Sequence, residues 1–120
     1  MAKIKRNKVN HHTLEEALDS FLISVKEKQL SETTYATYKQ NVLIFIEAFP
    51  DLMVEQINDD ILKEFKHWLS EHRNFNSVST NTTYRTINIF FTFLYEEYHI
   101  KHYKLEYVKE VRKLKKRLYR

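Results

Sequence analysis

Residues 30–49, LSETTYATYKQNVLIFIEAF, decide the fold. Ser31 is placed to accept a hydrogen bond from a free backbone N–H in a first helical turn, and Leu30 before it can pack onto Tyr35 one turn in. Tyr35, Tyr38, Val42, Phe45 and Phe49 recur at alternating steps of three and four, with Ile46 flanking them, so they share one side of a 3.6-residue helix. That side belongs in a core. On the far side lie Thr33, Thr37 and Gln40, short polar groups that can approach another molecule closely without an obligatory charge. The spacing therefore predicts one long helix with a buried stripe and a polar face free for recognition.

Upstream, Thr13 and Glu16 form a capping box, and Leu14, Ala17, Leu18, Phe21, Leu22 and Val25 keep helical spacing behind it. The turn Lys28-Gln29-Leu30 makes a helical hairpin with the central stretch. Downstream, Pro50-Asp51 ends the central helix, and a third helix starts at Asn58, with Asp59 and Asp60 at the positive end of its dipole. Ile61, Leu62, Phe65, Trp68 and Leu69 are its inward side, and it should fade near Arg73. Asn74 to Val78 reads as a polar connection, with Ser79 or Thr80 capping a fourth helix whose core stripe is Tyr84, Ile87, Phe91, Leu94 and Tyr98. The first two turns of that helix leave Asn81, Thr82, Arg85 and Thr86 for polar work. Its second half, INIFFTFLY, is apolar nearly all round, which requires cover on more than one side or a partner laid on Ile89, Phe90 and Phe93. From Tyr103 onward Tyr107, Val111, Leu114 and Leu118 keep a three-four spacing among lysines and arginines, a pattern open to a further basic amphipathic helix.

At 120 residues the chain is one domain, with about 65% of its unfolded surface available for burial in a single core. It holds no glycine, one proline and no cysteine, which removes glycine-rich phosphate loops, dinucleotide fingerprints, disulfides and thiolate metal sites. No apolar run approaches a membrane span and no signal peptide opens the chain, so a cytoplasmic protein with no membrane partner is expected. The net charge of +4 is unevenly spread: +4 in residues 1–12 and +7 in residues 101–120 leave a body of −7. Both ends suit a polyanion such as DNA. Residues 1–12, without periodicity, are expected to form a flexible basic arm, residues 13–100 the helical domain, and residues 101–120 a basic linker.

The six histidines give no metal-ligand pattern: His67 and His72 are five apart rather than the four of a shared helical face. Serines and threonines fall mostly at caps, and the carboxylates scatter over solvent faces without an apolar pocket to raise a pKa. No cofactor is expected, and no catalysis by this chain on its own.

The residues Leu30-Ser31-x-x-Thr34-x-x-x-Tyr38 running to Phe45, then Ile57-Asn58, then Thr80 through Arg85 to Phe90-Phe91-x-Phe93-Leu94 resemble the core-binding domain of tyrosine recombinases, the phage integrase family. The resemblance covers about residues 13–98, in the family's order. It implies an all-α fold, an orthogonal four-helix bundle of SAM-like arrangement, set on one side of duplex DNA while a catalytic domain of the same polypeptide grips the other. It implies double-stranded DNA and other recombinase protomers as partners, and DNA contacts from Thr34, Thr37 and Gln40 on the second helix and Asn81, Thr82 and Arg85 on the fourth. Lys113, Lys115 and Lys116 in the basic run are expected to touch phosphates. The family's catalytic residues belong to the downstream domain, and nothing here matches them; the expected enzyme is a DNA-cleaving and rejoining recombinase of which this chain is one part. A stand-alone DNA-binding regulator and a protein-interaction module stay open beside this reading.

Overall fold

A computed structural model describes residues 12–109. Four helices follow in order: α1, Leu14–Glu27; α2, Glu32–Ala48; α3, Asp59–His72; and α4, Ser77–Tyr98, with a short 3-10 turn, Val54–Gln56, between α2 and α3. The domain is all-α, a bundle in which α2 is the hub, packing on α1, α3 and α4, while α4 also meets α1.

The helix starts are set by side chains. Thr13 accepts from the Glu16 N–H while Glu16 reaches back to the Thr13 N–H, closing the predicted capping box. Ser31 accepts from the Thr34 N–H and Asn58 from the Ile61 N–H, as the spacing required. The fourth helix differs from expectation. Asn76, not Ser79 or Thr80, is its cap, accepting from the Ser79 N–H at 2.8 Å, so the helix opens at Ser77. An asparagine at an extended backbone position competes well for this role, and it adds almost a turn to α4.

Without glycine, the left-handed residues that reverse the chain after α1 and α4 are Gln29 (φ 59°) and His99 (φ 60°), at a cost of about 1–2 kcal/mol each. Both turns are thus held by what they connect, which includes the segment after His99.

The core joins all four helices. Phe45 is fully buried and meets Phe49, Phe65 and Phe91 edge-on at centroid distances of 5.4, 5.1 and 5.6 Å. Phe21 of α1 meets Phe90 of α4 at 5.3 Å. Phe90 and Phe91 are therefore buried on opposite flanks of α4, one under α1 and one against α2, and the apolar second half of α4 is covered from within the domain. The interaction surface expected around Phe90 is thereby corrected, with Ile89 left exposed and Phe93 half-buried. On α2 the buried set is Asn41, Val42, Ile44, Phe45 and Ile46, a near-continuous ring, because three helices surround that half. Tyr35, Tyr38 and Phe49, predicted on the same stripe, are half-buried at its margin, and so is Trp68, expected in the core of α3.

The chain is anchored from His12. Its backbone N–H and ring Nδ1 lie 3.0 and 2.7 Å from the two oxygens of Glu55, and its ring stacks on Tyr98 at 4.6 Å. A carboxylate only accepts, so Nδ1 carries the proton. Burial of Glu55 opposes its ionisation more than any other single cause, yet the bonds from His12, one from its own backbone and the proximity of His12 together hold its carboxyl below the usual value. A depressed carboxyl stabilises the fold above its unfolded pKa, and that contribution is lost as pH falls through the folded one. Thermal melts taken from pH 7 downward should therefore fall more steeply below about pH 5 for the parent than for Glu55→Gln. Parallel curves would dismiss the clamp as a source of acid sensitivity.

Residues 101–109, where a helix was open from Tyr103, are not helical; they run extended back along α4. The reason is local: the N–H and C=O of both Leu105 and Val108 are taken by asparagine side chains of α4 and so are lost to a helical ladder. Leu105 is buried in the core. The remainder of that expected helix, and residues 1–11, lie outside the described residues.

Candidate nucleic-acid interface

Between α2 and the front half of α4 lies a shallow hollow of about 270 Å³, lined by Thr37, Gln40, Asn41 and Ile44 from one side and Val78, Ser79, Thr82 and Thr83 from the other, with Phe75 at its edge. No charged residue lines it, in a body whose net charge is −7. Its floor is a buried polar network. Asn41 Nδ2 donates to Thr86 Oγ1 at 3.0 Å, Thr83 Oγ1 donates to Asn41 Oδ1 at 3.4 Å, and Thr86 Oγ1 reaches the Thr82 carbonyl at 3.5 Å. No buried side-chain nitrogen or oxygen among the described residues lacks a partner, so the network links α2 to α4 without an unsatisfied group. Thr86, expected on the exposed front, belongs to this floor.

The predicted contact residues divide into two groups. Thr37, Gln40 and Thr82 converge on the hollow, although Thr82 Oγ1 also donates to the Val78 carbonyl at 3.0 Å. Arg85 is exposed one turn beyond Asn81 and makes no ion pair with any other described residue. Its guanidinium is available, while Arg73 at the end of α3 is committed to Glu47. Thr34 and Asn81 serve the fold. The Thr34 hydroxyl accepts from Ser31 Oγ at 3.0 Å within the cap, and Asn81 holds Val108 through both its amide atoms. Lys113, Lys115 and Lys116 lie outside the described residues.

Two contributors escaped the sequence reading. Asn41 stands between Gln40 and the apolar run 42–46, and nothing in its neighbourhood marks it as buried against threonines 42 and 45 positions away. Asn88 did carry a signal: it follows Asn81 by seven residues, two helical turns, which puts both amides on one face.

Burial raises the Tyr84 phenol above its usual range, and this group packs beneath α3 rather than opening on the hollow. Among the described residues no cluster of three or more histidines and carboxylates is placed to hold a metal ion. No helix among them is long and apolar enough to cross a membrane.

The chain is thus a small four-helix domain with a charge-free polar seam between its second and fourth helices, and its sequence is basic at both ends. Residues 13–116 match the family of phage integrase SAM-like domains, and the chain belongs to that family. It is accordingly a recombinase-related domain. No curated protein and no solved structure matches it.

Proposed function

We propose that this domain binds duplex DNA as the core-binding part of a site-specific tyrosine recombinase or integrase, acting in the cytoplasm opposite a catalytic domain of the same polypeptide and beside other protomers on the DNA. The observation that carries the reading is the hollow between α2 and α4: its lining is polar and free of acids on a body whose net charge is −7, and Arg85 lies exposed on the same half of α4. An acidic rim would repel the phosphates. Amides and hydroxyls instead let two helices approach a groove closely, and one guanidinium can hold a phosphate. The ends supply the long-range attraction. The basic N-terminal residues enter at His12, beside Tyr98, and the C-terminal ones depart after Val108, beside Asn81. Those points are 17 residues apart on α4, about 25 Å, so the two basic segments start from opposite ends of the helix.

Arg85→Ala is the test. As a phosphate ligand, Arg85 should be worth one contact on every duplex, so its loss should lower the log-log salt slope of binding by about 0.9 while the fold is kept. A variant that remains folded and binds DNA as the parent does, with the same salt slope, would remove α4 from the interface.

A further inference from the structure

Between α3 and the extended segment after α4 lies a second hollow, of about 290 Å³. Its floor is apolar, formed by Leu62 of α3 and Leu105 of the segment, both buried. Around that floor stand three lysines, Lys63 and Lys66 from α3 and Lys104 from the segment. Residues 12–109 carry ten lysines and arginines against fifteen acids, so three cations around one small concavity reverse the charge of the domain locally. Two acids share the lining, Asp59 and Glu106. A fourth lysine offsets the first of them, since Lys101 Nζ lies 4.0 Å from Asp59 Oδ2.

The fold holds these lysines in place. Lys63 and Lys66 are three residues apart and so are neighbours on one helix face. Lys66 is half-buried, with its Nζ 5.9 Å from the ring centroid of the buried Tyr84. Lys104 is set by its neighbour: Leu105 is buried, and the Asn88 amide bonds both its N–H and its carbonyl, at 2.7 and 3.0 Å. No described acid lies within ion-pair distance of Lys63, Lys66 or Lys104. An ammonium taken partly out of water is stabilised by an anion, and Lys66 has only the face of a tyrosine. Ammonium groups are donors without an acceptor, and several around one concavity complement the oxygens of a phosphoryl group.

We propose that Lys63, Lys66 and Lys104 form a phosphate-binding site, separate from the α2–α4 hollow, that takes a phosphoryl group from a nucleic-acid backbone or from a free phosphate ester. Lys66, ordered over Tyr84, is its fixed point, and Lys104 completes it from the docked segment. Glu106 repels the ligand and holds the affinity down. The site stands on its own lining and does not depend on the α2–α4 face meeting DNA.

The experiment titrates sodium pyrophosphate into the nitrogen-labelled full chain at constant ionic strength, follows the backbone amides by NMR, and repeats the titration with succinate as a carboxylate of similar charge. Saturable shifts confined to residues 59–66 and 104–106 are expected, with a dissociation constant on the order of 1 mM. Lys66→Met, which keeps the stem over Tyr84, should weaken pyrophosphate about tenfold. Glu106→Gln should tighten it about twofold to threefold, a gain that a merely structural role for these residues does not produce. Lys39→Met, on α2 outside the hollow, should change nothing, and melting temperatures report folding. Shifts without saturation at about 10 mM, shifts spread over all lysines, equal binding of succinate, or a Lys39→Met loss equal to that of Lys66→Met each overturn the site. Should Lys66→Met fail to fold, Lys63→Met and Glu106→Gln are read by the same criteria. A short duplex added to the pyrophosphate complex then names the source. Displacement of pyrophosphate makes the ligand a backbone phosphate; a duplex that binds without displacing it assigns the site to free phosphate esters. A duplex that does not bind at all removes the DNA reading and leaves the phosphate site standing on pyrophosphate.

Discussion

Phe45→Ala should remove a large share of the domain's stability at ordinary temperature, about 3–5 kcal/mol. The side chain is fully buried in the C-terminal half of the hub helix and meets three other aromatic rings, two of them on α3 and α4, so its removal opens a cavity that those helices would have to move to fill. Truncations of this kind cost about 3–5 kcal/mol, against a total stability of about 5–15 kcal/mol. A single core of 120 residues has little reserve. Trp68→Ala is the informative contrast, although tryptophan is the larger residue. Trp68 stacks on His72 at 4.8 Å and borders an open groove with Phe49, half-buried, so much of the space it vacates is solvent already. Its loss should cost about 1–2 kcal/mol and leave a cooperative transition. Chemical denaturation of the two variants checks both figures, and a Trp68 variant less stable than the Phe45 variant would place the centre of the core on α3 instead of α2.

Replacing Lys113, Lys115 and Lys116 together by alanine should produce the largest loss of DNA binding. Each lysine that neutralises a phosphate contributes about 0.9 to the log-log salt slope, so the triple change removes up to about 2.7, which relative to about 1 M salt is up to about 2.7 orders of magnitude in affinity at about 0.1 M. The loss should be the same for any duplex sequence, since a run of lysines has no means of choosing bases. Arg85→Ala, with one contact at stake, should be the milder variant. Fluorescence titrations against two unrelated duplexes measure both, and a triple variant with an undiminished slope would show that the basic run does not reach the backbone.

The sequence by itself determined the local decisions. Capping boxes and asparagine caps are short-range chemistry, satisfied by a backbone N–H three residues away, so Thr13, Ser31 and Asn58 mark helix starts wherever the helices finally pack. The alternation of three and four apolar steps likewise selected the buried sides of α1 and α3 and the front of α4, because helical periodicity is a property of one segment. Thr37, Gln40, Thr82 and Arg85 were legible as a polar face on the same grounds. The start of α4 was not, since Asn76 competes with Ser79 and Thr80 within a few residues and each has a side chain able to cap.

Tertiary structure alone decided what depends on a neighbour. Whether the all-round apolar half of α4 is a core or a docking surface turned on α1 delivering Phe21 to Phe90, a pairing 69 positions apart in sequence. Asn41 could be buried only because α4 brings Thr83 and Thr86 to its amide. The segment after α4 had the spacing of an amphipathic helix, yet residues 101–109 are extended, because two asparagines two turns apart offer its backbone the hydrogen bonds that a helix would otherwise supply. A pattern along one segment states which side chains want burial. It says nothing of a backbone whose donors and acceptors are met by another helix, and that match is what makes Asn81 and Asn88 the holders of Val108 and Leu105.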